Sequence, residues 1–373
     1  MVNKERMVQE FIELVSIPCP SKDEKAEAEL IMKKMRELGL EPELDNANAK
    51  TGGTCGNVWA MLKGNKANAP KIFFEAHMDQ VAPATGTKVV RKDGVLYSDG
   101  TTTLGGDDKV GIETMLELVR VLKEENIPHG DVQLCCTISE EIGCLGAVNM
   151  DKGKIVADFG YSLDMGGKTG AIVYGAPMLL DIYVTVKGKA AHAGLCPEQG
   201  INAINLAAQA IASLPAYGRL DDETTLNIGM FNGGEGLNIV CPEVKFTIDM
   251  RSLNVPKLEK LRDDTLAHIK NVCEAGGASV EFVVEVGCPA VSLTADHPCC
   301  QLAARAAADL GFTPSLETAG GCSDANFICG YGLPTVVLAT GMSNIHTCEE
   351  YLAEEDLYNT ARWAVEIVRL AAE

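Results

Sequence analysis

Apolar residues recur every three or four positions along the first 40 residues, which predicts two amphipathic helices. Val8, Phe11 and Val15 share the inner face of the first helix, and Gly39 provides a stop for the second. Apolar runs of strand length then alternate with helical periodicity, with strands predicted at residues 57–62, 71–76, 131–139 and 161–164 and a helix at residues 110–123. This alternation predicts an α/β fold with helices on both faces of the sheet.

The pattern changes near Ala176. Residues 179–187 alternate between apolar and polar, which predicts a strand with one buried face. A helix, two strands, a helix and a last strand are predicted at residues 201–214, 224–231, 244–251, 255–274 and 279–286. The order β-α-β-β-α-β is that of a ferredoxin-like split unit. We therefore expect an α+β domain at residues 178–287, inserted into a main domain made of residues 1–177 and 288–373.

The composition narrows the class of partner. The chain has 373 residues, 46% of them hydrophobic, and 32 Lys plus Arg against 52 Asp plus Glu give a formal charge of −20. Such a chain can form a sizeable core, and its negative charge argues against nucleic acid or an anionic membrane as partner. The 14 cysteines form no Cys-x-x-Cys pair and several lie in apolar runs, so we expect free thiols in a reducing cytoplasm. No apolar run approaches the ~20 residues of a transmembrane helix.

Histidines and carboxylates stand at the ends of the predicted strands. His77 and Asp79 face the same way, because residues two apart on a strand share a face. This arrangement suits a metal-bound imidazole that a carboxylate orients, although a strand end in contact with solvent would also account for the pair.

Two pairs of adjacent carboxylates follow. Asp107 and Asp108 stand after two glycines at the start of a predicted helix, where helix capping would account for one of them. Glu140 and Glu141 come directly after the most apolar strand, where buried carboxylates are costly unless they bind something.

Two further residues complete the set. Asp164 ends another apolar strand, and His346 lies several loop residues after the last strand. Ligands of α/β sheets gather at the carboxyl ends of the strands, so we expect these side chains to lie together. Two histidines with several carboxylates suit divalent metals, zinc above all, and a bridging carboxylate would make a two-metal hydrolytic site.

The blocks EAHMD, GGDDKVG, SEEIG, SLDMGG and IHTCEE, in this order, resemble those of the co-catalytic dinuclear zinc peptidases and deacylases. That family includes peptidase T (tripeptide aminopeptidase), carboxypeptidase G, aminoacylase and succinyl-diaminopimelate desuccinylase. The resemblance covers nearly the whole chain and is strongest to the peptidase T branch. It extends to the lid motifs in KGKAAHAG, GLNIVCPE and IDMRS, and to the Gly-Gly…Asp loop in GGCSDANFI. It implies an α/β zinc-peptidase catalytic domain with a mixed sheet covered by helices, an inserted lid and dimerisation domain, and a homodimer.

The resemblance also implies roles for the clustered residues. Two Zn²⁺ ions per chain, for which Co²⁺ or Mn²⁺ could substitute, would be held by His77 and Asp164, by Glu141 and His346, and by Asp107 as the bridge. Asp79 would orient His77. Glu140 would be the general base that takes a proton from the bridging water and passes it to the leaving amine. The peptide bond between Asp107 and Asp108 is expected to be cis.

Three residues of the inserted domain are implied to bind substrate. His192 would stabilise the oxyanion in the active site of the partner subunit, and Arg251 would hold a substrate carboxylate or carbonyl with help from Asn238. Without the resemblance, His192 is a surface residue and Arg251 a solvated charge paired with Asp249.

The expected activity is metal-dependent hydrolysis of small peptides, with tripeptide aminopeptidase as the specific form. Cys322 departs from the Gly-Gly-Thr-Asp loop usual in peptidase T, so a deacylase of N-acyl amino acids or a carboxypeptidase stays open. A non-catalytic metal-dependent binding protein is the alternative of another class. It predicts loss of the general base, which the presence of Glu140 argues against.

Overall fold

The structure is a computed structural model that describes residues 1–373 and divides into two compact units. The first unit comprises Met1–Gly175, Ser292–Ala319 and Ser323–Glu373, and the second comprises Ala176–Val291 and Gly320–Cys322. The domain boundaries drawn above at residues 177/178 and 287/288 remain a prediction.

Seventeen strands and ten α-helices make up the two units. The strands are β1 (Glu43–Leu44), β2 (Val58–Leu62), β3 (Ile72–His77), β4 (Val89–Lys92), β5 (Val95–Ser98), β6 (Val132–Thr137), β7 (Phe159–Met165), β8 (Ala171–Ala176), β9 (Met178–Lys187), β10 (Gly218–Asp221), β11 (Thr224–Gly233), β12 (Glu243–Ser252), β13 (Ser279–Cys288), β14 (Val291–Ser292), β15 (Ser315–Thr318), β16 (Thr335–Ala339) and β17 (Tyr351–Ala353). The helices are α1 (Lys4–Val15), α2 (Lys25–Glu37), α3 (Asn48–Thr51), α4 (Gly106–Glu124), α5 (Leu145–Asn149), α6 (Ala203–Ala212), α7 (Val255–Ala275), α8 (Pro298–Asp309), α9 (Asp324–Gly330) and α10 (Glu354–Ala371).

The first unit is built on a sheet of nine strands, in the order β1-β2-β6-β3-β7-β16-β8-β14 with β15 beside β8. Strands β6, β3, β7 and β16 run parallel in its middle, whereas β2 and β8 run antiparallel to β6 and β16. The predicted α/β fold with a mixed sheet is confirmed. The carboxyl ends of the four parallel strands meet at one edge of this sheet.

The middle strands are buried on both faces. Every residue of β3 and β6 is buried, as the nearly unbroken apolar sequence of β6 predicts. Helix α4 packs against β3 and brings Met115 and Val119 into the same apolar cluster as Phe74. Burial of each such side chain stabilises the fold by about 1.5–3 kcal/mol.

The second unit has an antiparallel sheet in the order β10-β11-β12-β9-β13. Val184 and Phe246 belong to its apolar core with α6 and α7, whereas Tyr183 and Lys245, next to them on the same strands, are exposed. The predicted order β-α-β-β-α-β is present as β9, α6, β11, β12, α7 and β13, and the short strand β10 is an addition.

One hairpin of the first unit is absent from the sequence prediction. Strands β4 and β5 pair antiparallel and form a separate sheet with β17. β4 is mostly exposed, so it lacks the apolar run by which β2, β3, β6 and β7 were predicted. The Asp93–Gly94 dipeptide is a typical sequence of a tight hairpin turn and could have indicated this hairpin. In the structure both residues have the positive φ (52° and 76°) that such a turn requires.

The expectation of free thiols holds for twelve cysteines and is wrong for two. Cys288, at the end of β13, forms a disulfide with Cys322, and their Cα atoms lie 6.3 Å apart. The partners are 34 residues apart in sequence, so spacing gave no sign of the pairing. None of the helices is both long enough and apolar enough to cross a membrane.

Candidate active site

The parallel strands deliver polar residues to one edge of the main sheet. His77 ends β3, Glu140 and Glu141 follow β6, Asp164 lies near the end of β7, and His346 follows β16. These side chains come together because the carboxyl ends of parallel strands share an edge.

Asp107 joins them from the start of α4. Its backbone is not helical (φ −79°, ψ 102°), and the peptide bond to Asp108 is cis, as expected. Gly105 before it has φ 80°, and a Cβ there would lie 2.8 Å from the side chain of Gln80. The glycine is therefore needed where the loop turns into the helix.

Two groups of candidate metal ligands share Asp107. In the first, His77 Nε2 lies 3.0 Å from Asp107 Oδ1 and 3.8 Å from Asp164 Oδ1. In the second, His346 Nε2 lies 3.1 Å from Asp107 Oδ2 and 3.0 Å from Glu141 Oε2. Asp107 thus turns one carboxylate oxygen to each group.

The carboxylates around Asp107 favour a positive charge between the two ligand groups. Burial raises the pKa of Glu141 to about 7 and that of Asp164 well above its usual range. Burial disfavours a charged His77, but Asp107 and neighbouring carboxylates outweigh it and raise the histidine pKa well above 6.5. Asp107 likewise raises the pKa of His346 to about 9. A cluster of carboxylates that stabilises protonated imidazole will also attract a metal ion.

The donor set fits divalent metal ions. Imidazole nitrogen and carboxylate oxygen are the ligands that zinc takes in hydrolytic sites. In each of the two groups, the candidate ligand atoms all lie within 4.8 Å of one another. Glu141 Oε1 is buried and has no hydrogen-bond partner, which is costly for a carboxylate oxygen unless a cation binds it.

Asp79 connects the two groups through hydrogen bonds. Its Oδ1 accepts from the backbone N–H of Glu140 at 2.9 Å, and its Oδ2 accepts from that of Glu141 at 3.3 Å and from the Ser21 hydroxyl at 2.6 Å. His77 Nδ1 lies 3.0 Å from the Asp79 carbonyl oxygen and 3.5 Å from Oδ1. Asp79 therefore holds the backbone of both glutamates as well as the imidazole.

Glu140 lies beside two residues that the sequence analysis did not assign to the site. Cys144 Sγ donates a hydrogen bond to Glu140 Oε1 at 3.3 Å. Asp324 is the aspartate of the Gly-Gly…Asp loop, and one of its carboxylate oxygens lies within 4.8 Å of ligand atoms of both residues. Asp324 is fully buried near Thr137 and Glu75, and burial raises its pKa to about 6. The loop motif pointed to Asp324, whereas Cys144 had no signal beyond its place in the block after Glu141.

The three predicted substrate residues lie in the second unit. His192 and Asn238 are on adjacent loops, since the N–H of Ala193 donates to the Asn238 carbonyl oxygen at 2.9 Å. His192 is exposed, and its Nδ1 accepts from the N–H of Gly194 at 3.2 Å. Arg251, at the end of β12, donates four hydrogen bonds through its side chain.

The bonds of Arg251 are directed to one side chain and one backbone oxygen. Its Nε and Nη2 donate to Asp249 at 3.0 and 2.9 Å, and its Nη1 donates to the carbonyl oxygen of Gly320 at 3.2 Å. The pairing with Asp249, the alternative raised from the sequence, is thus present.

Comparison with known proteins places the chain among peptidases. The family profile "Peptidase dimerisation domain" matches residues 174–277, and "Peptidase family M28" matches residues 57–185. The uncharacterised protein YqjE of Bacillus subtilis (strain 168) is 41% identical over 373 residues, which is 100% of each chain.

Two solved structures share the fold over the whole chain. The aminopeptidase PepT of Bacillus cereus is 42% identical with a TM-score of 0.96 and covers 100% of each chain. A tripeptidase of Staphylococcus aureus is 34% identical with a TM-score of 0.94 and covers 100% of this chain and 99% of its own. The fold, together with the ligand groups at its strand ends, defines a metal-dependent peptidase. Within that class, the chain belongs to the peptidase T family.

Proposed function

We propose that this chain is an aminopeptidase that removes the N-terminal residue of tripeptides with the help of two Zn²⁺ ions. The observation that carries the proposal is the position of Asp107 between two ligand groups, with Glu140 held beside them by Asp79. The similarity to an aminopeptidase and a tripeptidase supports the substrate class.

The roles of the residues follow from their chemistry. His77 and Asp164 would hold one ion, Glu141 and His346 the other, and Asp107 both. When bound, the ions would lower the pKa of a water molecule and polarise the scissile carbonyl. Glu140 would take the proton of that water and return it to the leaving amine. Burial raises the pKa of Glu140 to about 8, a range in which a carboxyl group can accept and release protons near neutral pH.

The proposal includes a homodimer formed through the second unit, in which His192 acts in the active site of the partner subunit. The dimerisation profile supports this arrangement. So do Tyr183 and Val283, which face each other across β9 and β13 and are 44% and 54% exposed. β13 is also an edge strand, so one side of its backbone has no neighbouring strand. Twelve of the 14 cysteines are free, which supports a cytoplasmic location in spite of the disulfide between Cys288 and Cys322.

A substrate panel with controlled metal content tests the proposal. Metal-free protein should be inactive and should regain activity with two equivalents of Zn²⁺, Co²⁺ or Mn²⁺. A tripeptide of three different residues should yield its first residue and the remaining dipeptide. The N-acetylated form of the same tripeptide should resist cleavage, because an aminopeptidase recognises the free amine.

The other candidate activities predict different products. Release of the C-terminal residue would identify a carboxypeptidase, and cleavage of N-acyl amino acids would identify a deacylase. Tight binding of peptides without turnover in metal-loaded protein would identify a binding protein. Full activity in metal-free protein would refute the metal site itself.

A further inference from the structure

Glu350 is a buried carboxylate that no role described so far uses. It lies four residues after His346, immediately before β17, and only 2% of its surface is exposed. The block IHTCEE ends in two glutamates, of which Glu349 is exposed and Glu350 is buried. A carboxylate is buried at a cost of several kcal/mol unless hydrogen bonds or charges compensate it.

The compensation comes from the loop that carries Asp107. Glu350 Oε2 accepts from the backbone N–H groups of Leu104 at 2.8 Å and Gly105 at 2.9 Å, and Oε1 accepts from that of Asp107 at 3.1 Å. Gly106 leaves space for this contact, since a Cβ there would lie 2.9 Å from Oε1. One carboxylate thus fixes the backbone on both sides of the two glycines.

The loop that carries Glu350 itself, and His346 with it, is also fixed. The loop from Asn344 to Glu350 is closed by internal hydrogen bonds, among them the Thr347 hydroxyl to the Asn344 carbonyl oxygen at 2.7 Å and the N–H of Glu350 to the Thr347 carbonyl oxygen at 3.2 Å. His346 lies within this loop with φ 63°, a backbone conformation that non-glycine residues seldom adopt. Glu350 therefore connects the loop of His346 to the loop of Asp107.

We propose that Glu350 is the positioning residue of the dinuclear site, which sets the distance between the bridging Asp107 and His346. Both side chains belong to the second ligand group, so loss of the connection should weaken the ion bound by Glu141 and His346 more than the other. The proposal rests on the two-metal function proposed above. Residues that orient metal ligands typically change metal affinity or activity by 10- to 100-fold.

The variant Glu350→Gln tests the proposal, because the amide keeps the size of the side chain but places an N–H₂ group against backbone N–H groups. Asp45→Asn is the matched control. Asp45 is a buried carboxylate of the same unit whose Oδ1 accepts from the N–H groups of Ala47 and Asn57, both at 3.0 Å, and it contacts no metal-ligand residue.

Zn²⁺ titration of metal-free protein by calorimetry, followed by the visible spectrum with Co²⁺, provides readouts besides activity. Wild-type protein and Asp45→Asn should bind two equivalents with the same affinities. Glu350→Gln should bind the second equivalent about 10- to 100-fold more weakly, with an altered Co²⁺ spectrum, and excess metal should restore part of its turnover. Glu350→Asp should lie between the two, and it replaces Glu350→Gln if that variant does not fold.

Three results would overturn the proposal. If Glu350→Gln is less stable but binds both equivalents as wild type does, Glu350 only caps the start of α4. If the first equivalent is weakened as much as the second, Glu350 acts on both ions through Asp107 and does not set the position of His346 in particular. If wild-type protein binds fewer than two equivalents, the two-metal function fails and the proposal fails with it.

Discussion

The edge of the main sheet and the second unit both carry polar residues with proposed roles, but these residues differ in burial and in partners. At the sheet edge, Asp107 is buried, and Glu141, whose side chain is only 6% exposed, has an oxygen without a hydrogen-bond partner. In the second unit, His192 is exposed and Arg251 already binds Asp249 and Gly320. Burial of unpaired carboxylates is a physical cost that calls for a cation, whereas an exposed, paired arginine incurs none.

The two regions differ in what supports the roles proposed for their residues. The metal-ligand roles rest on geometry and charge together with family resemblance, whereas the substrate roles of His192, Asn238 and Arg251 rest on resemblance. Substitutions at the sheet edge should therefore have large and specific effects, and substitutions in the second unit should change turnover or substrate affinity without loss of metal. The following predictions test this contrast.

The largest effect is expected at Glu140. Glu140→Gln removes the proposed general base and should lower kcat by about 100- to 10,000-fold, as loss of such a group does. Metal content should stay at the wild-type value, because Glu140 belongs to neither ligand group that contains Asp107. Single-turnover kinetics and metal analysis of the same samples provide the check.

Glu141→Gln, one residue further on, is the matched comparison. It should lose activity together with metal, since Glu141 Oε2 lies beside His346 in the second group. A Glu140→Gln variant with near-normal kcat would reassign the base, and Asp324 would become the first candidate because it lies within the same buried cluster.

The sequence predicted the sheet edge well for a physical reason. His77 and Asp164 lie at the ends of apolar strands and Glu140 follows one, and strands buried on both faces are recognisable from their apolar runs. The parallel order of the strands then places their ends together. The position of Asp107 followed from the glycine pair before it and from the family resemblance.

Contacts between distant parts of the chain could not be read from the sequence. Glu349 and Glu350 are adjacent and chemically identical, but only Glu350 reaches the loop of Asp107, which lies more than 240 residues earlier. Cys288 and Cys322 pair over 34 residues. Asp79 binds backbone N–H groups of residues 140 and 141, and backbone donors carry no sequence signature.

The next effect concerns His192. His192→Ala should lower kcat by about 100-fold, the loss expected for one oxyanion donor. If His192 serves the partner subunit, a mixture of His192→Ala and Glu140→Ala chains should recover activity, because one site of each mixed dimer has both residues. With random exchange, half of the dimers are mixed and have one complete site, so about a quarter of the wild-type activity should return.

Subunit exchange must be verified with differently tagged chains before the assay is interpreted. The mixture of His192→Ala with wild-type protein provides the reference for exchange without complementation. Activity of the double mixture that stays at the sum of the separate variants would place His192 in the site of its own chain.

Substitution of a buried carboxylate outside the proposed site is expected to change stability and to leave kcat unchanged. Burial raises the pKa of Glu27, on α2, to about 8, against the attraction of Lys109 and Lys34. Between pH 4.5 and 8 the folded chain keeps a proton that the unfolded chain releases, so the free energy of unfolding falls as pH rises. Glu27→Gln should remove this loss and be more stable than wild type by about 4 kcal/mol at pH 8, since each pKa unit corresponds to about 1.4 kcal/mol, with no difference below pH 4.5.

Chemical denaturation at pH 5 and pH 8 measures this effect, and Glu29→Gln on the exposed side of the same helix is the control. The kcat of Glu27→Gln should equal that of wild type. A large loss of kcat would show that Glu27 contributes to catalysis, and the active site would then extend beyond the two ligand groups.

The smallest effect is expected at Arg251. If its guanidinium holds the C-terminal carboxylate of the peptide, Arg251→Ala should raise KM about tenfold, or about 1.4 kcal/mol, for a tripeptide and leave KM unchanged for the tripeptide amide. Lys245→Ala removes a positive charge from the same solvent-facing side of β12 and should change neither value. The stability of Arg251→Ala should fall by no more than about 1 kcal/mol, because the pair with Asp249 is more than a third exposed on the arginine side and water screens it. Equal changes in KM for the acid and the amide would mean that Arg251 contacts a backbone carbonyl instead, since that contact does not distinguish the two substrates.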